Sequence, residues 1–173
     1  MGNYKEKLGK ITTFIFDFDG VMSDGKVWVI DDETQVRNAN VKDGYAIHHA
    51  VKKGYNVAVI SGGKSKSIHY RMDFLGVKDV FSQVPYKKDK FLEYISDNHL
   101  EREEVLYMGD DIPDYELMQL AGVSACPADA AVEIQDIADY ISHLKGGEGC
   151  VRDVIEQVMR LREDWFDESA LHW

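Results

Sequence analysis

Two aspartates, Asp17 and Asp19, stand one residue apart at the end of an apolar run that covers residues 11–18. In a β-strand the side chains at positions i and i+2 point to the same face, so both carboxylates converge on one spot. Two carboxylates at about 4 Å repel each other by about 4 kcal/mol at an effective dielectric constant of about 20. A bound divalent cation or a shared proton usually offsets such a cost, so the pair predicts a functional site.

Three further groups of chemically capable residues follow later apolar runs. Ser61 and Gly62 open a Ser-Gly-Gly-Lys stretch where a strand is predicted to lead into a helix. The hydroxyl group and the free N–H groups of a helix start form a natural cradle for phosphate. Lys87 opens the helix after the next strand, with Lys88 and Lys90 as alternatives. The last group is acidic and consists of Asp110, Asp111 and Asp114.

Together these groups indicate phosphoryl transfer supported by a metal ion. Hard oxygen ligands with open positions favour Mg²⁺, which keeps several waters and binds substrate phosphate. One carboxylate can act as the nucleophile, and a second carboxyl group can move the proton. A metal ion and a lysine would neutralise the charge on the transferring oxygens. The groups can act together only if the fold brings them to one crevice.

Strands and helices are predicted to alternate regularly over most of the chain. The strand candidates are short runs that are apolar on both faces, as in a parallel sheet covered on both sides. This alternation predicts an α/β fold with a doubly wound, mainly parallel sheet and the site at the carboxyl ends of its strands. The predicted strands cover residues 11–18, 56–60, 79–81, 105–108, 123–125 and 140–142, and the predicted helices cover residues 45–53, 65–75, 87–98, 115–121 and 151–162.

One segment, at about residues 26–41, interrupts this alternation and is predicted to form a projecting β-hairpin. Its strand candidates, residues 26–30 and 35–41, are joined by four polar residues. The segment is too short to hold anything larger than a hairpin, and the residues between Ser61 and Lys87 are used up by a helix and a strand. We therefore expect no cap domain over the site.

The composition indicates a globular protein with a single domain over residues 1–173, whose tail at about 164–173 is expected to be flexible and to expose its tryptophans. The net charge of −11 argues against nucleic acid and anionic membranes as partners. The chain has no apolar run of about 18 residues, and residues 1–10 lack a signal-peptide core. Cys126 and Cys150 are expected to be reduced structural residues, which favours a cytoplasmic location.

The four groups, in this order, resemble the motifs of the haloacid dehalogenase-type phosphatase superfamily, which has a Rossmann-like core, over residues 11–160. On that resemblance Asp17 is the nucleophile that becomes an aspartyl-phosphate. Asp19 is implied to protonate the leaving alkoxide and then to activate water. The resemblance also implies that phosphate is held by Ser61, Gly62 and Lys87, and that Mg²⁺ is held by Asp17, the carbonyl group of Asp19 and Asp110. Asp111 and Asp114 are implied to lie in or beside that shell, with capping of the helix that starts at Tyr115 as the alternative for Asp114.

A finer resemblance is to the capless subfamily of these phosphatases. It is carried by the run Asp-Phe-Asp-Gly-Val-Met-Ser-Asp-Gly at 17–25, by Val-Lys-Asp-Gly-Tyr at 41–45 and by the glycine-rich residues 145–152. It implies that the substrate is a phosphorylated eight-carbon keto-sugar acid of lipopolysaccharide precursor synthesis. A nine-carbon substrate of the sialic-acid type is the alternative, because Gly63 and Glu148 stand where many relatives have arginine.

The same resemblance implies further substrate contacts and an assembly. Asp43 is expected to contact the substrate or the metal shell, with a capping role for its own helix as the alternative. Arg71, on the helix after the phosphate loop, is expected to meet the sugar carboxylate unless it lies on a solvated face. A capless enzyme must borrow its cover, so we expect a homotetramer in which each hairpin closes a neighbour's site.

A phospho-accepting receiver domain is the rival from another class of protein. Receivers also place an acidic pair, an aspartate and a lysine on a parallel α/β sheet. They do not follow the nucleophile with a second aspartate two residues later in the first strand, nor do they carry an acidic run like that at 109–114. The sequence therefore favours an enzyme over a binding module.

Overall fold

The computed structural model describes residues 4–31, 34–64 and 66–172. Within these ranges the chain forms a six-stranded parallel sheet and a separate two-stranded antiparallel ribbon. Four residues that the predicted elements include lie outside the described residues, namely Asp32 and Glu33 of the hairpin turn, Ser65 and Trp173.

The parallel sheet is the middle layer of the fold. In chain order the β-strands are β1 (Thr13–Phe16), β2 (Trp28–Val29), β3 (Gln35–Val36), β4 (Asn56–Ile60), β5 (Asp79–Phe81), β6 (Val105–Met108), β7 (Val123–Cys126) and β8 (Tyr140–Ile141). The sheet order is β5-β4-β1-β6-β7-β8, and every strand is parallel to its neighbours. The carboxyl ends of β4, β1 and β6 therefore lie side by side, as the sequence predicted.

Helices cover both faces of the sheet. They are α1 (Tyr4–Leu8), α2 (Val41–Lys52), α3 (Lys66–Phe74), α4 (Lys87–Asp97), α5 (Tyr115–Leu120), α6 (Val132–Gln135) and α7 (Cys150–Leu161). Residues of α2, α3 and α7 pack with Phe14 and Phe16 of β1 in one core. Residues of α4 and α5 pack with Ile15 of β1 in a second core on the opposite face. The alternation of β1 side chains thus divides the apolar interior into two layers.

The eight predicted strands and five predicted helices are all present in the predicted order, but their ends differ, and two short helices, α1 and α6, were not predicted. β1 stops at Phe16 rather than at residue 18, because the backbone turns over residues 18–22. α2 begins at Val41 rather than at residue 45, because the side chain of Asn40 accepts a hydrogen bond from the N–H group of Lys42 and caps the helix.

The predicted hairpin is present as the β2–β3 ribbon, where Trp28 pairs with Val36 and Val29 with Gln35. It belongs to no other sheet and is exposed along its length. No helix in the described ranges is long and apolar enough to cross a membrane. The described residues contain no cap domain over the carboxyl ends of the strands.

The expectation of a flexible tail with exposed tryptophans is corrected for the described part of that segment. Trp165 is 5% exposed and belongs to the core beside α2 and α7. The hydroxyl of Tyr45 donates to the carbonyl of Ala170 at 2.6 Å, and that of Tyr55 donates to Asp164 at 2.8 Å. The tail is therefore held by the buried side chain of Trp165 and by hydrogen bonds from α2 and from the loop after it, which its polar composition did not indicate.

Candidate active site

A crevice of about 960 Å³ opens at the carboxyl ends of the parallel strands. Four segments that the sequence analysis singled out contribute to its walls. The lining includes Asp17, Asp19, Ser61, Gly62, Lys87, Asp110, Asp111 and Asp114. The fold therefore brings together eight of the ten residues that the motifs predict for the site.

Asp17 lies at the end of β1, where the N–H group of Asp17 still donates to the carbonyl of Met108 at 2.9 Å. The chain then turns sharply, with Gly20 at a φ of 87°, a conformation that favours glycine. A Cβ atom on Gly20 would also lie 2.0 Å from Oδ2 of Asp110. Glycine at this position therefore allows both the turn and the close approach of Asp110 to it.

The side chain of Lys87 is buried between two carboxylates. Its Nζ lies 2.9 Å from Oδ1 of Asp17 and 2.7 Å from Oδ1 of Asp114. The two alternative lysines have other partners, because Lys88 contacts Glu116 and Lys90 contacts Glu93. Of the three lysines, Lys87 is the one that neutralises charge next to Asp17.

Burial and neighbouring charges raise the pKa values of Asp17, Asp110 and Lys87. Burial, and then the charge of Asp114, raise the pKa of Asp17 above its usual range, although Lys87 opposes the shift. Burial and the charges of Asp17 and Asp114 likewise raise the pKa of Asp110. Burial works to lower the pKa of Lys87, but the carboxylates of Asp17 and Asp114 outweigh it and raise that pKa. The cluster thus favours additional positive charge.

The donor set fits a hard divalent cation. Asp17, Asp110 and Asp114 each offer a carboxylate oxygen, and these three oxygens lie within 4.8 Å of one another. Asp114 is already engaged, because Oδ1 accepts from Tyr107 and Lys87 while Oδ2 accepts from the N–H group of Asp110. Asp17 and Asp110 are therefore the better ligands, and Asp114 is better suited to holding its neighbours in place.

Two other predicted residues occupy the edges of this cluster. The Asp111 side chain accepts from the N–H group of Ile112 at 2.8 Å and caps the short helical turn that leads to Asp114. Ser61 is buried at the end of β4, and its Oγ accepts from the N–H group of Gly63 at 3.2 Å. That hydroxyl lies beside Gly62 in the crevice wall, where phosphate oxygens would enter.

Arg37, which follows β3, was not among the residues predicted from the sequence. Its Nε donates to Oδ1 of Asp19 at 2.6 Å, and only 5% of its side chain is exposed. Tyr107, which holds Asp114 from within β6, was also missed. The hydroxyl of a tyrosine in a fully buried strand requires a polar partner, so a buried hydrogen bond from Tyr107 could have been predicted from the sequence. Arg37 left no such signal, because an arginine next to a predicted projecting hairpin is an ordinary surface residue.

The structure does not bring Asp43 and Arg71 into the crevice. Both border a separate cavity of about 10 Å³ on the side of α2 and α3. Asp43 is buried and accepts a 2.7 Å hydrogen bond from the N–H group of Arg152, in the first turn of α7. It therefore caps α7, whereas Asn40 caps the helix that contains Asp43.

The glycine-rich segment before α7 supports the turn that follows Asp17. The N–H group of Gly147 donates to the carbonyl of Val21 at 2.9 Å, and Sγ of Cys150 contacts the same oxygen at 3.2 Å. The side chain of Asn40 donates to the carbonyl of Gly147 at 3.0 Å. This segment therefore joins the turn to both α2 and α7.

Comparison with known proteins shows which family this chain resembles. A family model described as haloacid dehalogenase-like hydrolase matches residues 86–153. A 3-deoxy-D-manno-octulosonate 8-phosphate phosphatase, KdsC, from Salmonella typhi is 33% identical over 163 residues, which are 94% of this chain and 86% of the relative.

Solved structures of similar proteins have the same fold. The phosphatase of that name from Yersinia pestis superposes with a TM-score of 0.91 at 29% identity, covering 94% of this chain and 88% of the other. The one from Moraxella catarrhalis, solved with magnesium ion, phosphate ion and a KDO molecule, gives a TM-score of 0.89 at 26% identity. There the match covers 93% of this chain and 92% of the other.

Proposed function

Since this chain belongs to the haloacid dehalogenase-like hydrolases of the 3-deoxy-D-manno-octulosonate 8-phosphate phosphatase type, we propose that it hydrolyses that ester to the free sugar acid and inorganic phosphate. The observation that carries the proposal is the contact of Lys87 with Asp17, 2.9 Å apart in the crevice. It places a fixed positive charge next to a carboxylate that can attack phosphorus.

In the first half of the proposed reaction, an oxygen of Asp17 attacks phosphorus and the bond from phosphorus to the ester oxygen breaks. Asp19 gives its proton to the departing alkoxide, so the sugar leaves as an alcohol and Asp17 carries the phosphoryl group. In the second half, Asp19 takes a proton from water as that water attacks phosphorus. The bond from phosphorus to the Asp17 oxygen breaks, phosphate leaves, Asp17 regains its carboxylate and Asp19 is protonated again.

In this proposal the remaining residues position the phosphate group and neutralise its charge. Lys87 and the hydroxyl of Ser61 would contact phosphate oxygens, with N–H groups of the loop at Gly62 beside them. Mg²⁺ would be held by Asp17, Asp110 and the carbonyl of Asp19. When bound, the ion would offset the negative charge of the carboxylates and of the phosphate. Support comes from the raised pKa values of Asp17 and Asp110.

The exposed ribbon supports a proposed assembly, a homotetramer in which each ribbon covers a neighbouring site. Trp28, Val29 and Ile30 are 65–70% exposed, which is unusual for a run of three apolar residues. Replacing Trp28 and Val29 by serine should lower the oligomer's mass in sedimentation velocity and raise KM. Unchanged mass and kinetics would contradict this role. The exposed Phe166→Ser change, on the tail, is the control.

A cytoplasmic location and a place in lipopolysaccharide precursor synthesis complete the proposal. Both rest on the likeness to the phosphatases named above, and the two free, buried cysteines are compatible with a reducing compartment. The substrate is tested by phosphate release from the eight-carbon ester and from a nine-carbon keto-sugar acid 9-phosphate, with Mg²⁺ present. We expect a higher kcat/KM for the eight-carbon ester and no release by Asp17→Asn. A preference for the nine-carbon ester would select the alternative substrate, and no turnover of either would refute the proposal.

A further inference from the structure

The side chain of Arg37 lies between the catalytic turn and the phosphate loop. Arg37 directly follows β3 of the ribbon, and the next residue, Asn38, accepts a hydrogen bond from the N–H group of Asp24 at 3.1 Å. The ribbon is thereby tied to the turn of the same chain. From there Arg37 extends inward until Nε meets Asp19.

Gly63 makes room for this guanidinium group. A Cβ atom on Gly63 would lie 2.8 Å from Oδ2 of Asp19 and 3.0 Å from Nη2 of Arg37. Any other residue at position 63 would displace one of them. Gly63 and Asp19 both line the crevice, so Arg37 stands directly behind two of its wall residues.

The guanidinium group has more donors than its protein partners use. Nη1 is buried and finds no hydrogen-bond acceptor among the described residues. An arginine presents five N–H donors in a rigid fork that suits oxygen acceptors, and a buried donor without an acceptor is costly. The side chain is 95% buried, so bulk water does not remove that cost.

We propose that Arg37 is a specificity residue that binds an oxygen acceptor on the alcohol half of the substrate. The inference rests on the proposed function, because it takes Asp19 as the residue next to the leaving oxygen. Asp19 and Gly63 line the crevice and Arg37 lies against both, so an acceptor held at this part of the wall would approach the guanidinium group rather than Lys87. The acceptor is a hydroxyl or carboxylate oxygen, which sugar acids have and simple aryl esters lack. In this proposal the residue that contacts the leaving group comes from the same chain as Asp19.

The test compares three phosphate esters in Mg²⁺ with the wild type and Arg37→Gln. They are 3-deoxy-D-manno-octulosonate 8-phosphate, a pentose 5-phosphate that lacks the carboxylate, and phenyl phosphate, which lacks both kinds of acceptor. We expect kcat/KM to fall about 10- to 100-fold for the sugar acid ester and less than about 3-fold for phenyl phosphate. A loss that includes the pentose ester identifies a hydroxyl acceptor, and a loss confined to the sugar acid identifies the carboxylate.

Two further variants keep the test decisive. Arg37→Lys retains the charge beside Asp19 but not the fork, so it should recover only part of the loss on the sugar acid ester. Arg160→Gln removes a guanidinium group on α7, away from the crevice, at a side chain that is 60% exposed, and should leave all three rates within about 2-fold.

An equal loss on all three esters would overturn the inference, because Arg37 would then act through Asp19 alone. Unchanged rates on all three would overturn it as well. Failure of the wild type on every ester would instead refute the proposed function. The melting temperature of each variant, measured alongside, separates loss of selectivity from loss of folded protein.

Discussion

The hydroxyl group of Tyr107 donates a 2.6 Å hydrogen bond to Oδ1 of Asp114 inside the fold. The same oxygen lies 2.7 Å from Nζ of Lys87. Burial, and then the nearby carboxylate of Asp114, raise the pKa of Tyr107 well above its usual value, so this hydroxyl keeps its proton. Tyr107 thus orients the carboxylate that in turn orients Lys87.

Tyr107→Phe should leave Asp114 with one donor fewer at a fully buried site. We expect the free energy of unfolding to fall by about 1–3 kcal/mol, the cost of an unsatisfied buried polar group, and kcat to fall by less than about 10-fold. Urea titration and phosphate release measure the two effects. Tyr94→Phe is the control, because its hydroxyl donates to Asp79 at 3.3 Å, and it should leave kcat unchanged. An unaltered stability of Tyr107→Phe would contradict the role assigned to this bond.

Lys87→Met should remove the positive charge next to Asp17 while keeping the volume of the side chain. We expect kcat/KM to fall at least about 100-fold, because charge on the transferring oxygens would no longer be neutralised. Lys88→Met is a matched control one residue away, on a partly exposed lysine that pairs with Glu116. It should change kcat/KM less than about 2-fold. If both substitutions lowered kcat/KM equally, the contact of Lys87 with Asp17 would not be the cause of the loss of activity.

Mg²⁺ should stabilise the wild type against heat, because the ion binds the folded carboxylate cluster. At a concentration about 100 times its Kd the gain is about 2.7 kcal/mol, or a rise in Tm of about 5–10 °C for a chain of this size. Asp110→Asn should abolish that rise. Asp111→Asn, which can still cap the turn at Ile112, should keep it. A rise of equal size in Asp110→Asn would exclude Asp110 as a ligand.

Asp43 should make the stability of the protein depend on pH. Burial raises the pKa of Asp43 to about 6, against the opposing hydrogen bond from Arg152. The folded state therefore holds this proton where the unfolded state has lost it, so stability from Asp43 is present below about pH 4 and is lost as pH rises through 6. We expect up to about 3 kcal/mol over that window.

The measurement is a double difference in the free energy of unfolding at pH 4.5 and pH 7.5. Asp43→Asn retains Oδ1 as an acceptor for Arg152 but does not titrate. It should therefore be relatively more stable, compared with the wild type, at pH 7.5 than at pH 4.5. Asp97→Asn, at an exposed position, should show no such difference. The same difference in both variants would exclude Asp43 as its source.

Trp165→Ala should be strongly destabilising, because the tail is part of the core beside α2 and α7. Removal of a buried tryptophan costs about 3–5 kcal/mol, so Tm should fall by roughly 6–20 °C. Phe166→Ala, at the next position and 75% exposed, should shift Tm by less than about 2 °C. Differential scanning calorimetry distinguishes the two. Equal Tm shifts for the two variants would contradict the packing of Trp165 in the core and would favour the flexible tail expected from the sequence.

The sequence was informative wherever a local pattern determines position. Strand ends placed Asp17, Ser61 and Asp110 at one edge of the sheet, because parallel strands share a direction. The same spacing narrowed the lysine to Lys87, Lys88 or Lys90, and the contact of Lys87 with Asp17 separates the three. These placements follow from periodicity and spacing of a few residues, which a single sequence displays.

Contacts between distant segments were not accessible in that way. Arg37 reaches Asp19 only because the ribbon folds back toward the turn, and nothing in the spacing encodes that angle. Asp43 caps a helix that begins more than a hundred residues later, so spacing suggested its own helix instead. The packing of Trp165 likewise depends on a groove formed by other helices. In each case the partner is set by tertiary packing, which outweighs local preference.

The support that the glycine-rich segment gives to the turn after Asp17 has a consequence for biosynthesis. Val21 and Cys150 are 129 positions apart in the chain, and they meet at the carbonyl that also accepts from Gly147. When the ribosome has synthesised β1, β4, β5 and β6, the segment that supports the turn after Asp17 has therefore not yet been made. Nascent chains that end between Asp114 and Gly147 would hold every residue of the acidic cluster and still lack the hydrogen bonds that support the turn after Asp17.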